Sequence, residues 1–260
     1  MIIDVNVYLS RWPCRRLPLD ETPRLVERLK KLGIGQAWVG SFDALLHRDI
    51  EGVNARLAAE CAAWPAGLLV PFGAVNPRLP DWREDLRRCQ EVYRMPGVRL
   101  HPNYHGYTLD DPVCEAVLQE AEARGLIVQL PLVMDDDRVR HPLLRVENVD
   151  PKPLPALIQA HPQLRLVILN GTRAGRPAAP LAGQKNVFYE FAMLEGVAGI
   201  EKLLLQGHFP VEQLLFGSHC PWYNPDSAVL KLQESELTDA QREAIMHANA
   251  RRLLGDQVGR

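Results

Sequence analysis

The chain has 260 residues, 47% of them hydrophobic and 24% charged, the balance of an ordinary globular protein with a full core. Thirty Lys and Arg against 32 Asp and Glu leave a formal net charge of -2, which argues against the basic field of a nucleic-acid binder. No run approaches 18 consecutive apolar residues, and Met1-Ile2-Ile3-Asp4 enters an apolar segment without the basic flank of an export signal, so neither a membrane span nor secretion is expected. Cys14, Cys61, Cys89, Cys114 and Cys220 are odd in number, widely spaced and free of any C-x-x-C. They read as reduced thiols of a cytoplasmic protein.

Short β-rich runs alternate with helical patterns along the whole chain. A first strand is expected over residues 2–8. Residues 20–32 then read as a helix, with Pro23 early, Leu25, Leu29 and Leu32 on one face and Gly33 as the stop. Strands follow at 36–41, 68–75 and 97–101. After Asp110, an acidic cap, Pro112 in the first turn, Val113, Val117 and Leu118 on one face and Gly125 as terminator predict another helix. Further strands are expected at 126–132, 164–170, 187–193 and 214–218. Thr238-x-x-Gln241 is a capping box that opens a last helix with Ile245, Asn249 and Leu253 on one stripe.

Eight strands in this length give roughly 32 residues per unit, the size of a strand plus its crossover helix. Near-continuous apolar runs such as Leu68-Leu69-Val70-Pro71-Phe72 suit parallel strands buried on both faces. The expected fold is therefore α/β, a single-domain (β/α)8 TIM barrel over 1–260. An open doubly wound sheet is the arrangement that periodicity leaves as the alternative.

In such a barrel the chemistry belongs at the C-terminal ends of the strands. Those ends carry Asn6 and Tyr8, Ser41, Asn76, Arg99 with His101, Gln129, Asn170, Glu190, and Ser218 with His219. Buried polar groups need partners, so a mouth this polar is built to hold something polar.

Several segments resemble one family. Ile3-Asp4-Val5-Asn6-Val7-Tyr8 resembles an opening strand that usually reads I-D-x-H-x-H, and Gly97-Val98-Arg99-Leu100-His101-Pro102 with Asp111-Pro112 a fourth strand and helix start. Arg165 to Gly171 resembles a sixth strand, Leu215 to Trp222 an eighth that usually reads G-S-D-x-P, and Asn249 to Gly255 a closing helix. In that order they are similar to the amidohydrolase-related, metal-dependent hydrolase superfamily, in its branch of small barrels that includes lactonases, decarboxylases and hydratases. The departures concern the metal. Where the family places histidines, this chain has Asn6, Tyr8, Pro131 and Asn170, and the strand-eight Asp is His219. Amides and phenols are poor zinc ligands, and no H-x-H or H-E-x-x-H occurs, so no metal and no other cofactor are expected. The other metal arrangement considered is a relocated one on His101, Glu190 and His219.

Metal-independent hydrolysis is what the resemblance then implies, on a small and anionic lactone, ester or amide. His219 is expected to act as general base, His101 to assist proton transfer and Arg99 to hold a carboxylate or oxyanion. Asn6, Tyr8, Asn103, His105, Gln129, Asn170 and Glu190 are expected to line the ligand. Trp12 and the arginines of Ser10-Arg11-Trp12-Pro13-Cys14-Arg15-Arg16, together with Trp222 and Arg173, are expected over the mouth. Arg99 paired with Glu190 as a buried bridge is the structural counterpart of these roles. Cys220 is not expected to be a nucleophile, because its neighbour His219 points to the other side of the strand. The competing expectation is a non-catalytic ligand-binding or regulatory barrel, with or without homo-oligomerisation. Interlocked Asn6, Tyr8, Asn170 and His219 without a cavity favour that reading, whereas an open pocket with convergent Arg99, His101 and His219 favours the enzyme.

Overall fold

The computed structural model describes residues 1–136, 138, 140–171, 184–195, 198–205 and 209–255. Strands and helices alternate through most of it: β1 (Ile2–Leu9), α1 (Thr22–Lys31), β2 (Ile34–Ser41), α2 (Ile50–Ala62), β3 (Leu69–Pro71), β4 (Gly73–Ala74) and α3 (Trp82–Glu91). Then come β5 (Gly97–Arg99), α4 (Pro102–His105), α5 (Pro112–Ala123), β6 (Ile127–Pro131), α6 (Leu154–Ala160), β7 (Arg165–Leu169), β8 (Val187–Glu190) and α7 (Gly199–Leu205). β9 (Leu214–Leu215), α8 (Pro225–Glu234), α9 (Asp239–Glu243) and α10 (Asn249–Leu254) complete the chain, with a π turn at 244–248 joining the last two helices.

Every strand pairing is parallel, in the order β1-β2-β3 and β4-β5-β6-β7-β8-β9. β3 and β4 are one barrel strand interrupted at Phe72, whose N–H still donates to the Val39 carbonyl at 2.8 Å. The last strand closes onto the first: Val5 N–H donates to Phe216 O at 2.9 Å and Tyr8 N–H to Cys220 O at 2.8 Å. Closure turns the expected eight-stranded set into a (β/α)8 barrel and excludes the open sheet.

Side chains sort into layers as the pleat requires. Ile127 and Gln129 of β6 and Val167 and Leu169 of β7 face the barrel interior, where Ile3, Val5, Trp38 and Leu215 join them above Ala250, Leu253 and Leu254 of α10. Val128, Leu130, Leu166 and Ile168 face outward into the helical layer, against residues such as Leu118, Leu154 and Ile158. β1 breaks this alternation. Asp4 pairs with Ala37 but Val7 with Val39, so β1 holds one residue more than β2 across that step. The bulge shifts the parity, and Asn6 and Tyr8 enter the interior above Val5 instead of turning away from it.

Local signals explain the helix ends. Asp111 caps α5 by accepting from Val113 N–H at 3.1 Å, Pro112 fills the first turn, and Gly125 follows at φ 62°. The capping box of Thr238 and Gln241 forms as expected. α1 starts two residues later than the expected helix, because the Asp20 carboxylate accepts from Arg16 and from Leu17 N–H instead of capping.

Candidate functional site at the barrel mouth

The lowest polar layer is built on Arg99 and Gln129. Arg99 Nε donates to Gln129 Oε1 at 2.9 Å, Nη1 to Val7 O at 2.9 Å and Nη2 to Trp38 O at 3.3 Å, while Gln129 Nε2 donates to Val5 O at 2.8 Å. Gly40 makes room, since a Cβ there would lie 2.9 Å from Arg99 Nη1. The guanidinium carbon sits 4.2 Å from the centre of the Tyr8 ring. Burial holds the Arg99 pKa below its ordinary value and raises that of Tyr8. Arg99 thus ties three strands together from within.

Above it lies an amide and carboxylate cluster. Asn6 Nδ2 donates to Asn170 Oδ1 at 2.8 Å and to Glu190 Oε1 at 3.2 Å. The Glu190 carboxylate also accepts the backbone N–H groups of Asn170 and Ala192. Burial raises its pKa, and those hydrogen bonds work against the rise. Asn170 Nδ2 donates to Val133 O at 2.7 Å and reaches His219 Nδ1 at 3.4 Å. His219 Nε2 lies 2.9 Å from Met134 O, and because a carbonyl only accepts, this nitrogen carries the proton. Burial lowers the His219 pKa to about 4, so the ring is neutral at pH 7.

His101 completes the layer from β5. Its Nε2 is 3.3 Å from Tyr8 Oη, which also donates to Met134 Sδ at 3.3 Å. Burial first, then the charges of His105 and Arg99, push its pKa well down. His105 stacks edge-on against it with ring centres 5.8 Å apart and bonds Ala44 O at 2.8 Å. Over the whole set Tyr8, Trp12, Phe42, Met134 and Trp222 form an apolar roof, with Trp12 and Trp222 ring centres 4.7 Å apart and Arg15 over Trp222 at 4.9 Å.

Asn6, Tyr8, Arg99, His101, Gln129, Asn170, Glu190 and His219 are each 1% exposed or less. The structure therefore brings together eight of the expected site residues, with Trp12 and Trp222 above them. Asn103 and His105 lie toward the rim, Asn103 donating to Glu147 O at 2.8 Å. Arg173 lies outside the described residues. Cys220 is fully buried in the core, and burial pushes its thiol pKa well up.

Several contributors had no clear mark in the sequence. Asp4 Oδ1 accepts from the N–H groups of Asn6 and Ser218 at 3.1 and 3.0 Å, and burial raises the Asp4 pKa to about 7. A Cβ at Gly217 would lie 2.6 Å from Glu190 Oε2, so only glycine lets that carboxylate pass. Met134 comes from a loop without periodicity. The aspartate of the I-D motif was the one available signal.

This donor set does not fit a divalent metal. His219 Nε2 is committed to a carbonyl, the Glu190 oxygens to amide N–H groups, and the remaining family positions hold Asn6, Tyr8, Pro131 and Asn170. Among the described residues no three His, Cys, Asp or Glu side chains are placed to share an ion.

The fold and the motifs both have counterparts. The 2,6-dihydroxybenzoate decarboxylase from Rhizobium superposes with a TM-score of 0.75 at 16% identity, covering 97% of this chain and 98% of that one. The 5-carboxyvanillate decarboxylase from Sphingomonas paucimobilis gives 0.74 at 13% identity over 97% and 98%. A dihydroxybenzoic acid decarboxylase from Polaromonas, solved with bound manganese and the inhibitor 2-nitroresorcinol, gives 0.71 at 14% identity over 100% and 97%. At these identities the likeness concerns the fold. No curated protein sequence matches the chain. The sequence model of the amidohydrolase family matches residues 15–255, and with the barrel closed and its motifs in order, the chain belongs to that family.

Proposed function

We propose that the centre inherited from the family has become a structural plug here, and that this chain is a non-catalytic, ligand-binding or regulatory barrel. The burial of all eight polar residues of the mouth, bonded to one another and to strand carbonyls under an aromatic roof, supports this reading. A hydrolase needs a water and a carbonyl within about 3 Å of its base, and here the two hydrogen-bonding positions of His219 face Met134 O and the Asn170 amide. Space for a small ligand at this end of the barrel lies beside the plug, in a cleft of 680 Å³ between residues 102–111 and 145–153, with Asn103, Arg78 and Arg145 on its walls.

A second reading, metal-independent hydrolysis of a small carboxylated lactone, ester or amide, is favoured by two specific observations. Asn170 and His219 both adopt left-handed backbone conformations, at φ 57° and 54°, and His101 Nδ1 and Asn6 Oδ1 are buried without a hydrogen-bond partner. Such strain costs about 1–3 kcal/mol per residue and clusters at functional sites. Thermal unfolding separates the readings. As parts of a plug, Asn170→Ala and His219→Ala each lower Tm by about 5–10 °C, since each strands buried partners. A Tm that holds or rises in both variants marks residues kept at the expense of stability, and supports the hydrolase.

A further inference from the structure

At the opposite end of the barrel, where β6, β7 and β8 begin, an open cleft of 940 Å³ lies between the end of α6, the strand entrances and α10. Its wall carries Arg165, Lys185 and Arg252, and no carboxylate lines it among the described residues. Several arginines elsewhere are matched with acids, as Arg16 is with Asp20, Arg28 with Asp226 and Arg124 with Glu120. Here Arg165 donates only to the carbonyls of Leu253 and Gly125, and Arg252 to the carbonyl of Glu212. Glu122, next to the cleft, is turned onto His161 and the N–H of Gln163. Among the described residues, three positive charges therefore share one concavity that no carboxylate lines.

The rest of the lining is apolar or amide. Ile158, Phe188 and Leu253 give a buried floor, and Gln159, Gln163 and Gln184 add neutral donors and acceptors. A cationic rim over an apolar floor complements an anion that carries a flat apolar body. Arg165 is held in place by its two carbonyl bonds, so its position is preorganised, while Lys185 and Arg252 reach from exposed positions.

We propose that this cleft is a binding site for an organic phosphate of about nucleotide size, its phosphates on Arg165, Lys185 and Arg252 and its ring on the floor of Phe188, Ile158 and Leu253. The site is independent of the mouth, and holds whether the mouth is a plug or a hydrolase centre.

Isothermal titration of the full chain with magnesium-free ATP, inorganic pyrophosphate and adenosine tests it. ATP is expected to bind saturably at one site, more tightly than pyrophosphate, with adenosine weakest. Lys185→Glu with Arg252→Glu is expected to weaken ATP at least tenfold, as is raising the salt to about 0.5 M, because exposed charges are screened. Both positions are exposed, so the double variant keeps the wild-type Tm within about 2 °C. Lys30→Glu, at an exposed lysine of α1 outside both clefts, leaves ATP binding unchanged. Absence of saturable ATP binding overturns the proposal, as does equal binding by wild type and double variant. Adenosine or pyrophosphate binding as tightly as ATP overturns it too, because the site then reads only one half of the ligand.

Discussion

At the C-terminal ends of the strands eight polar side chains lie 1% exposed or less and bond one another, whereas at the N-terminal ends Arg165, Lys185 and Arg252 stand on an open wall that no acid lines among the described residues. In a (β/α)8 barrel the first end ordinarily carries function and the second stability. On the proposed reading this chain inverts the pattern, since most polar atoms of its mouth find their partners within the chain, His101 Nδ1 and Asn6 Oδ1 being the exceptions. The lesson is that a polar strand end shows only that polar groups have partners, and that whether the partner is a ligand or the chain itself is decided by geometry.

The largest effect that sharpens this contrast is expected at Arg99. Arg99→Met leaves Gln129 Oε1 and the carbonyls of Val7 and Trp38 without their donor inside the barrel. A loss of about 3–5 kcal/mol in a urea unfolding curve follows from several buried groups left unmatched. An unchanged midpoint breaks the comparison from the side of the mouth.

Next comes the pH response of His219, whose pKa falls from 6.5 in the unfolded chain to about 4 in the fold. Between those values the unfolded chain binds more protons, so stability falls as pH drops from 6.5 toward 4, by about 3 kcal/mol in total. Asp4, raised to about 7, acts in the opposite sense, losing stability as pH rises from 3.8 to 7. Wild type and His219→Gln share Asp4, so the difference between their stabilities isolates the histidine. That difference is expected to narrow as pH falls from 6.5 to 4, and a difference that stays constant with pH contradicts it.

A smaller effect is expected at Gly217. Its alanine variant places a methyl against a Glu190 carboxylate held by backbone N–H groups, and overpacking of this kind costs about 1–3 kcal/mol. The smallest belongs to the far end, where Lys185→Glu shifts stability by no more than about 0.5 kcal/mol, read from the same unfolding curves. A loss there as large as that of Gly217→Ala makes Lys185 part of the framework and removes the contrast between the ends.

The strands were legible because parallel barrel strands, buried on both faces, appear as unbroken apolar runs such as Leu68 to Val70 and Leu166 to Leu169. Closure was expected from eight such runs, while periodicity left the open sheet as an alternative that only the contact of β9 with β1, across almost the whole chain, removes. The polar set at the mouth could be named from strand ends and family resemblance, but its arrangement could not. The bulge between Asp4 and Val7 reverses the parity on which an inward or outward assignment depends. Gly40 and Gly217 carry no side chain to mark them, yet they decide where Arg99 and Glu190 lie. Arg99 illustrates the gap best. An inward arginine at a strand end reads as an anion site, and only the three bonds it makes inside the barrel show it engaged. The cationic cleft was invisible for a related reason, because Arg165, Lys185 and Arg252 come from separate segments without a shared motif.

Native-state hydrogen exchange at the backbone amides of Asn170 and Ala192, both donors to Glu190, tests the plug most directly. If the mouth is a core, these amides open only with global unfolding, and their exchange free energy equals that of core amides such as Val128 and Val167. Exchange far faster than in those strands means that the mouth opens on its own to admit a ligand or water, and contradicts the account.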